Sequence, residues 1–208
     1  MRASSFLLLC TLAVAPKIPA EHSGRLGPEV RQVKCETTAG AFTMNLDPTY
    51  SPKGVNRVLN MVRDNFFDGM LLYRVLENFL VQFGVAATPK LHHKFSGYNF
   101  NDEPNKVPFR KGTISFAGNG VDSRSCHLFV ALNAGLGNAK HETTLGHLDD
   151  EGIATFERVV SNHKAASYGD TGHLQAALAK EGNSAAAKYP RLDSIRTCEL
   201  LPLAKAEL

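Results

Sequence analysis

The most informative run in this chain is FFDGMLLYRVLENFLVQFG, at residues 66–84. It carries one arginine, Arg74, and one glutamine, Gln82, among residues that are mostly apolar. An Asp-Gly pair opens the run and a glycine closes it, and the β-branched and aromatic residues between them predict two short buried strands with a break at 77–78. Polar side chains on buried strands need hydrogen-bond partners or a pocket. Arg74 and Gln82 are therefore the first candidate functional residues.

The rest of the chain predicts further short strands and two helices. Alternation over 33–46, with a glycine at position 40, predicts a β-hairpin, and helical spacing predicts helices over 54–63 and 153–161. Other strands are predicted at 70–75, 79–83, 113–116, 128–132 and 143–148. This order is typical of an antiparallel barrel closed at its ends by helices.

Residues 1–20 differ in kind from the rest of the 208-residue chain. A positive start, an apolar core over 6–15 and a small residue at position 20 predict a signal peptide. The core of about ten residues is shorter than the roughly twenty that a spanning helix needs, although an uncleaved anchor is the alternative. Cleavage removes Arg2 and Lys17 and no acidic residue, so the formal net charge falls from +3 to +1. We therefore expect no nucleic-acid partner, and no membrane association after cleavage.

The chain ends in KAEL, which differs from the KDEL retrieval signal only at Ala206. Together with a signal peptide, this ending predicts residence in the lumen of the endoplasmic reticulum, with secretion as the alternative. A solvated tail at 201–208 that ends this way by chance is the competing interpretation. Residues 21–32 are interpreted as a flexible lead-in, and residues 33–200 as one domain.

Four motifs, in order over about seventy-five residues, resemble the cyclophilin family of peptidyl-prolyl cis-trans isomerases. The first is the 66–84 run, which is similar to the family's FDG, R-V and NF-x-x-QGG series. The others are KGTISFAGNG at 111–120, SCHLFV at 125–130 and NAKH at 138–141, which resemble G-x-L-S-M-A-N-A-G, G-S-Q-F-F-I and D-G-K-H. The resemblance implies a mainly β fold: a closed eight-stranded antiparallel barrel capped by two helices.

The resemblance also implies isomerisation of X-Pro bonds during protein folding, a reaction that needs no metal or cofactor. Rotation about a peptide bond meets a barrier of about 18–20 kcal/mol that arises from amide resonance. A catalyst must bind the twisted amide better than either planar form. Arg74 is the candidate for donating to the prolyl nitrogen as it becomes pyramidal, because a guanidinium stays charged and holds its donors in a rigid fork.

By the resemblance, Arg74 is the essential arginine, Phe79 lines the proline pocket, and Gln82 contacts the substrate and orients the arginine. The substrate-binding residues that the resemblance implies are Tyr73, Leu80, Ala117, Gly118, His127, Phe129, Leu136 and His141. Core packing is the alternative for the apolar members, and a satisfied turn histidine for His141. A buried arginine without a carboxylate is costly, so we expect an acidic partner, with Glu77 as the first candidate.

Several of these positions depart from the family pattern. His127 stands where active members have a glutamine, Gly118 where they have an asparagine, and Leu136 where drug-sensitive members have a tryptophan. We therefore expect reduced activity and weak or no cyclosporin binding. The alternative function is a catalytically weak peptide-binding or chaperone module. A third alternative is an interaction scaffold that uses the surface excursion at 162–189.

Three cysteines remain after loss of the signal peptide: Cys35, Cys126 and Cys198. The resemblance places Cys35 and Cys198 on the first and last strands, which lie close together in the family, so a Cys35–Cys198 disulfide is our hypothesis. Two buried free thiols are the alternative. We assign no catalytic role to Cys126 and expect no metal site, because His92 and His93 are interpreted as solvated residues of a basic loop. The expected partners are proline-containing polypeptides, and the expected state is a monomer.

Overall fold

The computed structural model describes residues 29–203, so the predicted signal peptide and the KAEL ending lie outside the described residues. The strands are β1 (Arg31–Thr37), β2 (Ala41–Leu46), β3 (Arg74–Leu76), β4 (Leu80–Phe83), β5 (Thr113–Phe116), β6 (Leu128–Ala131), β7 (Gly146–Leu148) and β8 (Ile195–Leu200). The helices are α1 (Pro52–Arg63), α2 (Pro89–Ser96), α3 (Asp150–Ala165) and α4 (Leu174–Glu181), followed by a 3-10 turn at Gly182–Ala186. Because β1 begins at Arg31, the end of the predicted lead-in belongs to the sheet.

The eight strands form one antiparallel sheet in the order β3-β4-β6-β5-β7-β2-β1-β8. The predicted mainly β, eight-stranded fold is confirmed, but the predicted closed barrel is wrong. The outer strands β3 and β8 form no ladder with each other. The segment before β3 meets the start of β8 at an isolated bridge between Leu71 and Ser194 and through a long hydrogen bond from the N–H of Gly69 to the carbonyl oxygen of Arg196, at 3.4 Å. The sheet is thus a curled half-barrel, and β3 is shorter than the predicted 70–75 strand because residues 70–73 make no regular ladder.

Helix α1 begins at a proline, which is favoured in a first turn because its missing N–H has no intrahelical partner there. Its residues at helical spacing, Val55, Val58, Leu59 and Val62, are buried against the sheet side of the core. Helix α3 is longer than the predicted 153–161 because Asp149 caps it, accepting a hydrogen bond from the N–H of Gly152 at 2.8 Å. No helix within 29–203 is long and apolar enough to cross a membrane.

Residues 29–203 also contain the helices α2 and α4, and α2 corrects an interpretation. His92 and His93 lie on α2 and not on a loop. His92 is buried on the inner face of that helix, whereas His93 is exposed.

The 162–189 excursion packs against the sheet edge as a second, smaller core. Its α4 contributes Leu174 and Leu178, which pack with Tyr73 and Val85. The hydroxyl of Thr171 donates to the carbonyl oxygen of Tyr73 at 2.5 Å, just before β3. An open sheet edge presents unpaired backbone groups that proteins usually cover. The excursion thus covers part of the β3 edge of the sheet, which does not pair with β8.

The structure joins Cys35 and Cys198 by a disulfide. The two residues are directly opposite each other in the β1–β8 ladder, with their Cα atoms 4.1 Å apart. The bond links positions 163 residues apart in the sequence and ties the last strand to the first. Cys126 is free and buried.

We expect removal of this disulfide to lower the free energy of unfolding by about 2–4 kcal/mol, because it closes a long loop in the unfolded chain. Guanidinium titration of the wild type with and without reductant measures the change. The Cys35→Ser/Cys198→Ser variant is the control, since reductant has no bond to break there and must leave its midpoint unchanged. A wild-type midpoint that reductant does not move would contradict the prediction.

Candidate active site

One open groove gathers all the predicted site residues except Tyr73. It lies over the β3–β4–β6 end of the sheet. The predicted residues that line it are Arg74, Phe79, Leu80, Gln82, Ala117, Gly118, His127, Phe129, Leu136 and His141, and the further lining residues are Asn119, Ser123, Glu142 and Gln175. In a separate depression beside α3, four of the eight lining residues are charged and none is a predicted catalytic or substrate-binding residue.

Strand register places the two polar residues of the 66–84 run side by side. Arg74 on β3 is directly opposite Gln82 on β4, and Gln82 is in turn opposite Phe129 on β6. Arg74 Nη1 donates to Gln82 Oε1 at 3.1 Å. The antiparallel ladder thus brings the arginine, the glutamine and the pocket phenylalanine to one face.

The acidic partner of Arg74 is Asp170, and Glu77 instead pairs with Lys164 at 2.9 Å. Arg74 Nε donates to Asp170 Oδ1 at 3.2 Å, and Nη2 donates to Oδ2 at 3.5 Å. Both oxygens of the carboxylate thus accept from the same guanidinium. These contacts and the pairing with Gln82 use three of the five guanidinium N–H groups. Within the described part of the chain, Nη1 and Nη2 each keep one N–H that can donate to a substrate.

The excursion supplies a second contact to the site through Gln175. Its Oε1 accepts from Gln82 Nε2 at 3.3 Å and from the Tyr73 hydroxyl at 2.9 Å. Tyr73 itself is fully buried in the smaller core, where burial raises the pKa of its hydroxyl. The prediction that Tyr73 binds substrate is therefore wrong: it supports the groove from behind.

The floor of the groove is apolar. Leu80 and Phe129 are buried and pack with Phe109 and Ala131, while Ala117 and Leu136 flank them. The rings of Phe109 and Phe129 lie 6.1 Å apart between centroids. At the rim, Phe79 is 40 % exposed, although its ring is large and apolar. This combination of an apolar floor and an exposed aromatic rim suits a small ring such as that of proline.

The opposite wall holds the residues that depart from the family pattern. The N–H of Ala117 donates to the carbonyl oxygen of His127 at 2.9 Å, which joins the two segments of this wall. A Cβ atom at Gly118 would lie 2.6 Å from Ser123 Oγ and 2.9 Å from His141 Cγ. Gly118 thus lets His141 approach the backbone closely.

His127 is neutral over the ordinary pH range, because burial and then the neighbouring His92 lower its pKa to about 4. Beneath the groove, His92 and Cys126 lie beside it. Within 29–203, these three residues are the one group of histidine, cysteine and acidic side chains that could together hold a metal ion. The expectation that His92 is a solvated residue is therefore wrong.

Sequence reasoning missed Asp170 and Gln175 as site residues. Both lie in the segment that was interpreted as a surface excursion, and neither belongs to a motif. The only signal was indirect: Arg74 required an acidic partner, and Asp170 is one of the few acidic residues in that segment.

Relatives with known names match only part of this chain. The Gibberella zeae protein named peptidyl-prolyl cis-trans isomerase-like 1 is 31% identical over 100 residues, which cover 47% of this chain and 62% of the relative. The Arabidopsis thaliana peptidyl-prolyl cis-trans isomerase CYP18-2 is 29% identical over 104 residues, covering 49% and 63%. The chain thus spans less than two thirds of the length of either relative.

A solved structure shows the same fold over most of the chain. The cyclophilin type peptidyl-prolyl cis-trans isomerase of Cryptosporidium parvum superposes with a TM-score of 0.61 at 16% identity, covering 84% of this chain and 99% of that one. The family model described as cyclophilin type peptidyl-prolyl cis-trans isomerase/CLD matches residues 32–174, which include the groove residues from Arg74 to His141. The chain therefore belongs to the cyclophilin-type peptidyl-prolyl cis-trans isomerase family.

Proposed function

We propose that this protein is a peptidyl-prolyl cis-trans isomerase that acts on X-Pro bonds of polypeptide clients. The observation that carries the proposal is the placement of Arg74, with free N–H donors, beside an apolar pocket floored by Phe129. Relatives that are named peptidyl-prolyl cis-trans isomerases support it. The structure of the Cryptosporidium parvum relative was also determined in the presence of the dipeptide Ala-Pro.

The groove can stabilise the twisted amide in two ways. The proline ring is held by apolar contact with Leu80 and Phe129, which fixes one side of the rotating bond. As the bond twists, resonance is lost and the prolyl nitrogen gains a lone pair, to which an Arg74 N–H can donate. Asp170 and Gln82 hold the guanidinium in place before the substrate arrives, so little reorganisation is needed at the transition state.

Exchange spectroscopy by NMR on a peptide with a single X-Pro bond tests the proposal. The purified protein is expected to accelerate cis-trans exchange at catalytic concentration. A folded protein that binds the peptide without accelerating exchange would overturn the proposal and favour the second candidate, a peptide-binding or chaperone module. His127 favours that candidate, because a neutral, half-buried imidazole replaces the family's backbone-contacting glutamine.

We further propose that the protein acts in the secretory pathway, in the endoplasmic reticulum lumen or after secretion. The Cys35–Cys198 disulfide supports this location, because such bonds persist in oxidising compartments. Fractionation with protease protection, combined with mass spectrometry of the two thiols, tests it. A protein that is found in the cytosol with both thiols reduced would contradict it.

Asp170 lies on a loop that approaches Arg74 closely because of Gly172. A Cβ atom at Gly172 would lie 2.9 Å from Arg74 Cδ and 3.0 Å from Arg74 Nε. We expect Gly172→Ala to push the guanidinium aside and to lower kcat/KM by about 10- to 100-fold, since small displacements of a catalytic group are costly. Gly97→Ala is the matched control, because a Cβ atom there meets nothing within 4 Å. Equal activity of the two variants would show that the excursion does not position Arg74.

Leu136 lines the groove where drug-sensitive relatives carry a tryptophan. We expect cyclosporin to bind weakly, and Leu136→Trp to tighten binding by about tenfold, which corresponds to about 1.4 kcal/mol. Calorimetric titration of the two proteins measures the difference. Tight binding by the wild type would show that Leu136 does not limit recognition of the drug.

A further inference from the structure

Three metal-binding side chains converge beneath the wall of the groove. His92 lies on α2, and Cys126 and His127 immediately precede β6. One ligand atom from each of the three lies within 4.8 Å of the others. Cys126 Sγ is 4.0 Å from His92 Nδ1, and the two imidazole rings lie 5.7 Å apart between centroids.

These three side chains are buried or half-buried, and their polar atoms have few or only long hydrogen bonds. Cys126 is fully buried and His92 is 4 % exposed. His127 Nδ1 is buried and has no hydrogen-bond partner among the described residues. The recorded polar contacts of Cys126 Sγ, to Ser125 Oγ and His92 Nδ1, are both 4.0 Å long, at the outer limit for sulfur. Buried polar groups in native proteins normally have partners, so a missing ligand is a direct explanation for this cluster.

We propose that His92, Cys126 and His127 form a binding site for a d10 transition-metal ion, Zn²⁺ or Cu⁺. A thiolate and two imidazoles are the soft and intermediate ligands that these ions prefer, and the site offers none of the carboxylate oxygens that Mg²⁺ or Ca²⁺ require. Three protein ligands leave one coordination position for water or another small ligand. The site shares His127 with the wall of the groove but does not use Arg74, so metal binding does not depend on isomerase activity.

The geometry is close to what such an ion needs. With metal–sulfur and metal–nitrogen distances of about 2.3 and 2.0–2.1 Å, tetrahedral ligand atoms lie roughly 3.4–3.6 Å apart. The 4.0 Å between Cys126 Sγ and His92 Nδ1 thus closes by about 0.4 Å through small side-chain rotations. His127 is half-buried and lines the groove, which provides the route of entry.

When the ion binds, the protein releases one proton and the ion releases bound water. As the metal–sulfur bond forms, the Cys126 thiol releases its proton to solvent, and the two neutral imidazoles replace waters of the hydrated ion. Burial raises the pKa of the Cys126 thiol, and the Ser125 hydrogen bond and the Arg57 guanidinium offset this only in part, so the metal itself must displace the proton. A thiolate and two neutral imidazoles together carry one negative charge, so Cu⁺ gives a neutral site and Zn²⁺ gives a site of charge +1.

Titration of the metal-free, full-length protein with Co²⁺ tests the proposal, since cobalt reports thiolate ligation by its charge-transfer absorption. The expected result is one Co²⁺ bound per chain, with a sulfur-to-cobalt band that disappears on addition of Zn²⁺ or Cu⁺. Competition with a chromogenic chelator of each ion then ranks the two. We expect Cys126→Ser to abolish the band and to weaken binding by at least about 100-fold.

His93→Gln is the matched control, because His93 is the exposed neighbour of His92 on the same helix and must bind cobalt like the wild type. His127→Gln serves as a second loss variant if Cys126→Ser does not fold, as judged by circular dichroism. Three results would overturn the site: no band in the wild type, an unchanged band in a folded loss variant, or cobalt that neither Zn²⁺ nor Cu⁺ displaces.

Discussion

The Arg74→Ala variant is expected to lose about 100- to 1,000-fold in kcat/KM for X-Pro isomerisation while remaining folded. The loss follows from removal of a guanidinium that Asp170 and Gln82 hold beside the proline pocket. A preorganised donor that acts on charge developing in the transition state typically contributes this much. Exchange rates measured by NMR at several protein concentrations give the ratio. Stability should change little, because the Arg74–Asp170 pair is partly exposed.

Arg74→Lys separates charge from geometry in the same assay. Lysine keeps the positive charge but cannot contact Asp170 and Gln82 through a planar fork. We expect activity between those of the wild type and Arg74→Ala. If Arg74→Ala instead exchanges the peptide as fast as the wild type, the chemistry lies elsewhere in the groove and the proposed role of Arg74 is wrong.

The largest loss of stability is expected from Glu103→Gln, at about 3–5 kcal/mol. Glu103 Oε2 pairs with Nη2 of the fully buried Arg124 at 3.2 Å. The same carboxylate accepts from the N–H groups of Lys53 and Gly54 at the start of α1, at 2.8 and 3.2 Å, and from the Ser51 hydroxyl. A neutral amide would leave the buried guanidinium with the 3.5 Å contact to Asp102 as its remaining ion pair among the described residues, and it would turn a donor toward the helix N-terminus. Guanidinium denaturation measures the change.

Two further variants make that prediction specific to burial. Lys164→Met breaks the Glu77–Lys164 pair, whose side chains are 59 % and 49 % exposed for lysine and glutamate, and should cost less than about 1 kcal/mol. The double variant Glu103→Gln/Arg124→Met removes both charges of the Glu103–Arg124 pair and leaves Asp102 without its ion pair to Arg124, so it should recover only part of the loss. Equal losses from Glu103→Gln and Lys164→Met would contradict the assignment.

The local sequence pattern was sufficient to predict the strands and helices whose side chains alternate regularly along the chain. The hairpin around position 40, the strand Thr113–Phe116 and helix α1 have the predicted places, because side-chain alternation and helical spacing directly report which face is buried. The closed barrel and the long strand over 70–75 were wrong. Closure of the barrel depends on whether its two outer strands pair. Here Thr171 and the smaller core pack against the chain at the β3 edge instead.

Within the site, motif order identified the groove residues but not what holds them. Tyr73 follows the pattern of its neighbours, yet it is turned into the smaller core by α4. His92 sits in a sequence that looks solvated, because lysines and a second histidine surround it, and only the packing of α2 buries it.

The sequence by itself determined the strand and helix alternation, the ordered motifs and the pair Arg74 and Gln82, because these depend on residues that are near one another along the chain. The tertiary structure alone decided the partner of Arg74, which is Asp170, 96 residues away, and the approach of Cys126 to His92, 34 residues away. No local pattern encodes such distances. They result from how the excursion and α2 pack against the sheet, where burial and charge pairing act between elements and not along them.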